Sequence, residues 1–288
     1  MFDLLFSPFA EFEFMRRALV GGMALALAGA PVGVFLILRR MSLTGDAMAH
    51  AILPGAALGY LVSGLSLGAM TAGGFAAGLL VAVASGAVAR ATSLREDATL
   101  AAFYLMSLAL GVTIVSLKGT SIDLLHVLFG NVLGLDDPTL MLLAGISSLT
   151  LLGLAAIYRP LVLETVDPNY LASVSRAGGP TQIAFLVLVV MNLVAGFQAL
   201  GTLLAVGVMM LPAAAARLWV ADVTRMIAIA ALIGMASVYL GLVISFASGA
   251  PSGPLIILVA GGFYILSVGF GRAGGLSRRL PASRHLEA

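Results

Sequence analysis

Apolar residues in this chain come in long, nearly unbroken runs separated by short polar interruptions, a pattern neither of alternating strands nor of one-faced helices. The runs fall near residues 18–38, 47–64, 67–89, 98–117, 139–158, 182–197, 199–216, 226–247 and 255–271. A helix needs about 20 apolar residues to cross the roughly 30 Å hydrocarbon core of a bilayer. Each run is long enough, or nearly so, and the pattern predicts an all-α polytopic membrane protein with eight or nine transmembrane helices, eight if one run is re-entrant. A shorter piece, DLLHVLFGNVLGL from Asp123 to Leu135, cannot span alone. It predicts a short non-spanning helix near 121–135, lying at an interface or dipping into the membrane behind neighbouring helices.

Composition agrees with the pattern. Of 288 residues only 28 are charged, 15 basic and 13 acidic, and 61% are hydrophobic, whereas a soluble domain carries about 25% charged residues. There is no cysteine, which removes disulfides, thiolate metal sites and thiol catalysis together. The few basic residues sit at segment ends and in the tail, not in a stripe interleaved with aromatics, so nucleic acid is not an expected partner. The first dozen residues, MFDLLFSPFAEF, lack a basic start, and the first apolar run is expected to stay in the chain. The 34 glycines and the many alanines read as packing residues that let helices approach in lipid. One membrane domain is expected over 1–288.

Basic residues near segment ends stay preferentially in the cytoplasm. Arg39/Arg40, Arg90/Arg95, Arg159/Arg176, Arg217/Arg225 and the group Arg272, Arg278, Arg279 and Arg284 all fall on one side if nine segments cross. That places 272–288 as a basic cytoplasmic tail and the N-terminus outside. Arg16 and Arg17 disagree with this count. The Phe-rich stretch 1–14, with Glu11 and Glu13, is expected to be an interfacial amphipathic segment. The longest polar interruption, 163–178, is an inside loop carrying Glu164, Asp167 and Arg176.

Charges at membrane depth are costly and usually functional. Most of the acids, Glu164 included, read as belonging to connecting segments, which leaves Asp46 and Asp123, each beside a histidine. Asp46 and His50 lie four apart in GDAMAHAILPG, one face of a helix, and carboxylate with imidazole suits a divalent first-row metal. Pro54 has no N–H for the carbonyl of His50, which predicts a kink with a freed oxygen. The plain alternative is an Asp capping a helix start and a His satisfied by a neighbouring helix. Asp123 and His126, three apart, form a second pair, and there Asp123 also fits a simple helix N-terminal role. Asn192 and Gln198 read as structural hydrogen bonders, and His285 as part of the polar tail. There is no H-E-x-x-H, no third acid beside Asp136 and Asp137, and no G-x-x-x-x-G-K-[ST] around the single lysine, Lys118. An intramembrane hydrolase is therefore disfavoured, and energy for active transport must come from a partner chain or an ion gradient.

Residues 39–59, RRMSLTGDAMAHAILPGAALG, resemble the hallmark stretch of the permease subunits of bacterial zinc/manganese-type ABC metal importers. The likeness continues in family order through LREDATLAAFYLMSLALGV (94–112), IDLLHVLFGNVLGL (122–135), ETVDPNYLASVSRAG (164–178), GTLLAVGVMMLPAAAARL (201–218) and SGAPSGPLIILVAGGFYILS (248–267). The resemblance implies a fold like that of vitamin B12-type ABC importer permeases, in the bacterial inner membrane. It implies a homodimer, two cytoplasmic ABC ATPase subunits, an extracytoplasmic metal-binding protein, and Zn²⁺ or Mn²⁺ as transported substrate with no resident cofactor. It carries the translocation-path ligands to Asp46 and His50, and less firmly to Asp123. His126 stands where many zinc permeases have an aromatic residue. It also makes 163–178 the ATPase-coupling element, through Glu164, Asp167 and Arg176. An ion-coupled carrier using the same ligands without an ATPase is the alternative.

Overall fold

The structure, a computed structural model, describes residues 2–64, 66–94, 96–117 and 132–276. Asp123, His126, His285 and the arginines beyond 276 lie outside the described residues, as does most of the expected 121–135 helix. Within them the chain is almost wholly helical: α1 (Phe2–Glu11), α2 (Glu13–Leu38), α3 (Ser42–Ala51), α4 (Leu53–Ser63), α5 (Leu67–Ala91), α6 (Glu96–Leu117), a 3-10 turn (Val132–Gly134), α7 (Asp137–Val166), α8 (Pro168–Val174), α9 (Gly178–Leu200), α10 (Thr202–Trp219), α11 (Val223–Ser248) and α12 (Ser252–Phe270).

Seven of the nine apolar runs form helices long and apolar enough to cross a membrane, namely α2, α5, α7 and α9 to α12. The run at 98–117 lies in α6, whose apolar stretch is Ala98–Ile114. The run at 47–64 is divided: α3 ends at Ala51, and α4 starts at Leu53 with Pro54 in its first turn. Proline tolerated at a helix start cannot donate within a helix, so the regular helix is interrupted for one residue, Ile52, which itself keeps a helical φ of −71° and bonds the Met48 carbonyl at 3.3 Å. The interruption at Ile52 is the break that Pro54 predicts.

Two ion pairs fix the direction of the helices. Arg17 of α2 meets Asp137 of α7 at 2.9 Å and Glu13 at 2.7 Å, and at the other end Arg39 meets Glu164 at 3.1 Å. The starts of α2 and α7 are thus together and so are their ends, and the two helices run parallel. An odd number of crossings must lie between them, which the broken α3–α4, α5 and α6 supply. Tyr158 near the end of α7 bonds Thr224 at the start of α11 at 2.7 Å, and Trp219 at the end of α10 donates to Ser267 near the end of α12 at 2.9 Å. These contacts follow the same up-and-down order. Arg16 and Arg17, which disagreed with the charge count, are occupied: Arg16 donates to the Ala10 carbonyl at 3.0 Å, and Arg17 is held by its two carboxylates.

Helix ends are stopped by local chemistry. Asp136 caps α7, its carboxylate accepting the Thr139 N–H at 3.0 Å, and hydrogen bonds from Thr139 hold that carboxyl below its ordinary range. Asp222 caps α11 in the same way, accepting from Arg225 N–H at 2.8 Å. Asp136 and Asp137 are therefore a cap and an ion-pair partner, not a metal-binding acid pair. Burial is greatest along α2 and α9, where Phe35, Leu36, Phe185 and Leu193 are almost completely enclosed. Small residues set the closest approaches. A Cβ on Gly55 of α4 would run into the Gly73 backbone of α5, and the reverse clash is as severe.

This contact gives a direct test. Gly55→Val overpacks a backbone-to-backbone crossing, where even ordinary overpacking costs about 1–3 kcal/mol. Gly68→Val, on the same helix pair but facing open space, should be neutral. Thermal unfolding of the detergent-solubilised protein is expected to fall by several degrees for the first and to stay unchanged for the second.

Candidate metal site and coupling end

The broken span carries the site. Ser42–Ala51 begins one residue after a tight turn in which Arg40 takes a left-handed φ of 59°. Met41 N–H bonds the Leu36 carbonyl at 2.8 Å and Arg40 N–H that of Ile37 at 3.1 Å. These are the paired bonds of a Schellman closure, made here with arginine where glycine is usual. The turn fixes how α3 leaves α2 and so where its side chains point.

Asp46 and His50 share one face of α3. Their Oδ1 and Nε2 atoms are 3.9 Å apart, too far for a hydrogen bond. The Asp46 side chain is 66% exposed and that of His50 26%. His50 Nδ1 is buried and makes no hydrogen bond. Two ligand atoms on one first-row ion sit about 3–3.5 Å apart, given metal–ligand bonds of about 2.0–2.2 Å. A closure of some tenths of an ångström would let both hold one cation. Asp46 is not at the start of α3 and no side-chain cap bond is made there, so the capping alternative does not describe it.

Helix α6 supports this face with residues that the motif does not contain. Tyr104 lies with its ring nearly parallel to that of His50, the centroids 6.2 Å apart. Ser107, one turn on, is buried and donates to the Ala51 carbonyl at 3.0 Å, directly at the break. Gly111, the next in the stripe, passes against Leu53 and Pro54. The 104, 107, 111 spacing is a helical one, yet nothing local in the sequence says which neighbour it faces. Beyond the break, α4, α5 and α6 line a groove of about 740 Å³ with Pro54, Leu58, Val62, Leu80 and Phe103 among its walls and no titratable group. Among the described residues no three His, Asp or Glu gather into a metal cluster, and Asp46 and His50 are the pair found on this face.

At the same end of α2 the expected coupling loop is mostly helix. Helix α7 continues to Val166, Asp167 caps α8 by accepting the Tyr170 N–H at 2.9 Å, and α8 runs to Val174. Asp167 and Arg176 are exposed. Glu164 is not: it is 9% exposed and paired with Arg39, so its reading as a loop acid is corrected. Sequence inspection missed this because Arg39 and Glu164 are 125 residues apart and each stands beside a polar turn. Asn192 is buried with neither amide atom hydrogen-bonded, and its oxygen lies against the backbone of Gly29.

A bundle of this kind, with seven helices long and apolar enough to cross a membrane among the described residues, defines a multi-pass membrane protein. Residues 11–271 match the ABC 3 transport family, and the chain belongs to it. It is a permease of the ABC metal-importer class, seated in the bacterial inner membrane. The chain is 31% identical over 278 residues to the manganese transport system membrane protein MntC of Halalkalibacterium halodurans, covering 95% of this chain and 93% of that one. It is 29% identical over 268 residues to the chelated iron transport system membrane protein YfeD of Yersinia pestis, covering 93% and 89%. The solved structure of PsaBC from Streptococcus pneumoniae in complex with Fab superposes with a TM-score of 0.84 at 28% identity, over 97% of this chain and 98% of that one. A metal-chelate type ABC transporter in an inward-facing conformation shares the fold at 14% identity, with a TM-score of 0.69 over 88% and 85%.

The α6 stripe carries its own prediction. Ser107→Ala removes one buried hydrogen bond, a loss of about 1 kcal/mol, and should weaken binding of the ion by a few-fold. Tyr104→Phe keeps the ring and should bind normally, while Tyr104→Ala should bind more weakly. Calorimetric titration of Mn²⁺ into the detergent-solubilised protein separates these outcomes.

Proposed function

We propose that the chain is the membrane-spanning subunit of an importer that moves a divalent transition metal ion into the cytoplasm, Mn²⁺ in the first instance, through Asp46 and His50. The observation that carries this reading is a two-thirds exposed aspartate on a broken transmembrane span, 3.9 Å from an imidazole whose second nitrogen has no partner. An ionised carboxylate beside an apolar run faces a polar path or another protein surface, not lipid. Two copies related by a twofold axis would bring two carboxylates and two imidazoles to one ion, with waters completing the shell. That is the support for a homodimer. Such a site is open and weak enough to release its cargo. Carboxylate and imidazole accept Mn²⁺, Fe²⁺ and Zn²⁺ alike, and because the Irving–Williams order favours Zn²⁺, discrimination rests on geometry and on a delivering metal-binding protein outside the membrane. Asp123 and His126 are proposed as further contacts on the same path.

The energy is proposed to come from separate cytoplasmic ABC ATPase subunits docking on α8. Tyr170 and Val174 of α8 are spaced four apart and both more than half exposed, with Leu171 buried beneath them and the exposed Val166 at the end of α7 just before. An apolar stripe on a short exposed helix, flanked by Asp167 and Arg176, suits insertion into a groove of a partner. The tail 272–288 and the segment 1–14 are proposed to lie at the cytoplasmic and outer surfaces respectively.

Asp46→Ala and His50→Ala are each expected to lower cellular manganese accumulation at least tenfold, read by inductively coupled plasma measurement, with assembly of the complex unchanged. Wild-type accumulation in both variants would remove the assignment. Uptake by liposomes holding this chain alone, without an ATPase, would instead favour the ion-coupled carrier. Competition by Zn²⁺ and Fe²⁺ in the same assay ranks the metals.

A further inference from the structure

The mechanism above uses neither Arg39 nor Glu164, yet these are the charges most deeply set at the cytoplasmic end. Their side chains are 12% and 10% exposed, and one nitrogen of Arg39 and one oxygen of Glu164 are buried with no hydrogen bond. A surface ion pair at a helix end would be solvated and worth little, whereas this one is closed over by aromatic rings. The Arg39 guanidinium lies 5.6 Å from the centre of the Phe185 ring. Phe185 of α9 packs edge-on against Phe35 of α2 at 6.0 Å, and Phe35 in turn meets Tyr158 of α7 at 6.2 Å. Three helix ends are therefore joined in one packed node with a charge pair at its centre.

The node sits between the two functional elements. Glu164 is one helical turn before Asp167, the cap of α8, with Asp167 N–H still bonded to Leu163. Arg39 is the last residue before the left-handed Arg40 turn, and α3 with Asp46 begins just beyond it. Packed side chains and helix ends of this kind move as a body, because close-packed interiors do not deform smoothly.

We infer that the Arg39–Glu164 pair is the mechanical link through which displacement of α8 moves α3 and its metal-ligating face. It positions the site and does not itself touch the ion or the ATPase. This inference rests on the proposed function, in which α8 meets the ATPase and Asp46 and His50 meet the ion. If the link is cut, the ATPase docked on α8 hydrolyses ATP without moving the ligands.

The absence of native cysteine allows a direct test in the full transporter, reconstituted in liposomes with its co-purifying ATPase and metal-binding protein. The double variant Arg39→Cys/Glu164→Cys removes both charges, so no lone buried charge is left. A short bis-methanethiosulfonate reagent then bridges the two positions, and a reductant releases it. Three quantities are read: Mn²⁺ binding without ATP, ATP hydrolysis, and Mn²⁺ uptake. The reduced variant is expected to bind Mn²⁺ and hydrolyse ATP within about twofold of wild type while uptake falls at least tenfold. Bridging should restore most of the uptake, and reduction should abolish it again. The charge-exchanged pair Arg39→Glu/Glu164→Arg, which keeps the ion pair in reverse, should transport better than either single charge reversal.

Three results would overturn the inference: uptake at wild-type efficiency in the reduced variant, parallel loss of hydrolysis and uptake, or a bridged protein that stays uncoupled although the exchanged pair binds Mn²⁺ normally. Failure of the underlying reading shows elsewhere, as an unmodified protein that takes up no Mn²⁺ with ATP.

Discussion

In lipid a charge must find a partner, and the folding of this chain depends on that constraint more than on any other. Arg39 and Glu164 resolve it by pairing in a buried contact at the ends of α2 and α7, while Arg17 and the exposed Asp137 meet at the starts of the same two helices. Hydrophobic burial does not choose between neighbours in a bilayer, since lipid tails are as apolar as leucine. Ion pairs and close backbone approaches make that choice. The two clamps fix α2 and α7 as parallel, and with them the sense of every crossing between.

The site follows from a local break within that frame. Pro54 divides a span that hydropathy alone would leave continuous, and the two halves meet where Ser107 of α6 satisfies a carbonyl at the joint. Two residues before the joint at Ile52, His50 lies beside Tyr104, and one turn further back Asp46 is left exposed. The carboxylate is not hydrogen-bonded to the imidazole, so both keep lone pairs available.

Much of this was legible in the sequence. Run length alone gave the number and order of the apolar segments, because bilayer thickness sets helix length. The GDAMAHAILPG stretch gave both candidate ligands and the break, because four-residue spacing and a proline have local consequences. Other residues were not legible. Glu164 read as a loop acid because it borders a polar stretch, and its burial comes from Arg39, far away in the chain. The stretch 163–178 read as a loop because it is polar, yet Asp167 and Pro168 start a helix there. Tyr104 and Ser107 sit in an apolar helix with no periodic signal, and only the neighbour they face gives them a role.

Sequence by itself thus determined that the chain is a helical membrane protein and that Asp46 and His50 lie on one helix face, while its likeness to a permease family came from motifs. The first two are properties of composition and of spacing within one helix, set by the bilayer and by backbone geometry. Tertiary structure alone decided which helices are parallel, which carbonyl Ser107 donates to, and that Arg39 and Glu164 close a buried node beside α8. Those facts depend on side chains that meet across distances in the chain that no local pattern encodes, and a buried charge shows its partner only once the fold has brought the two together.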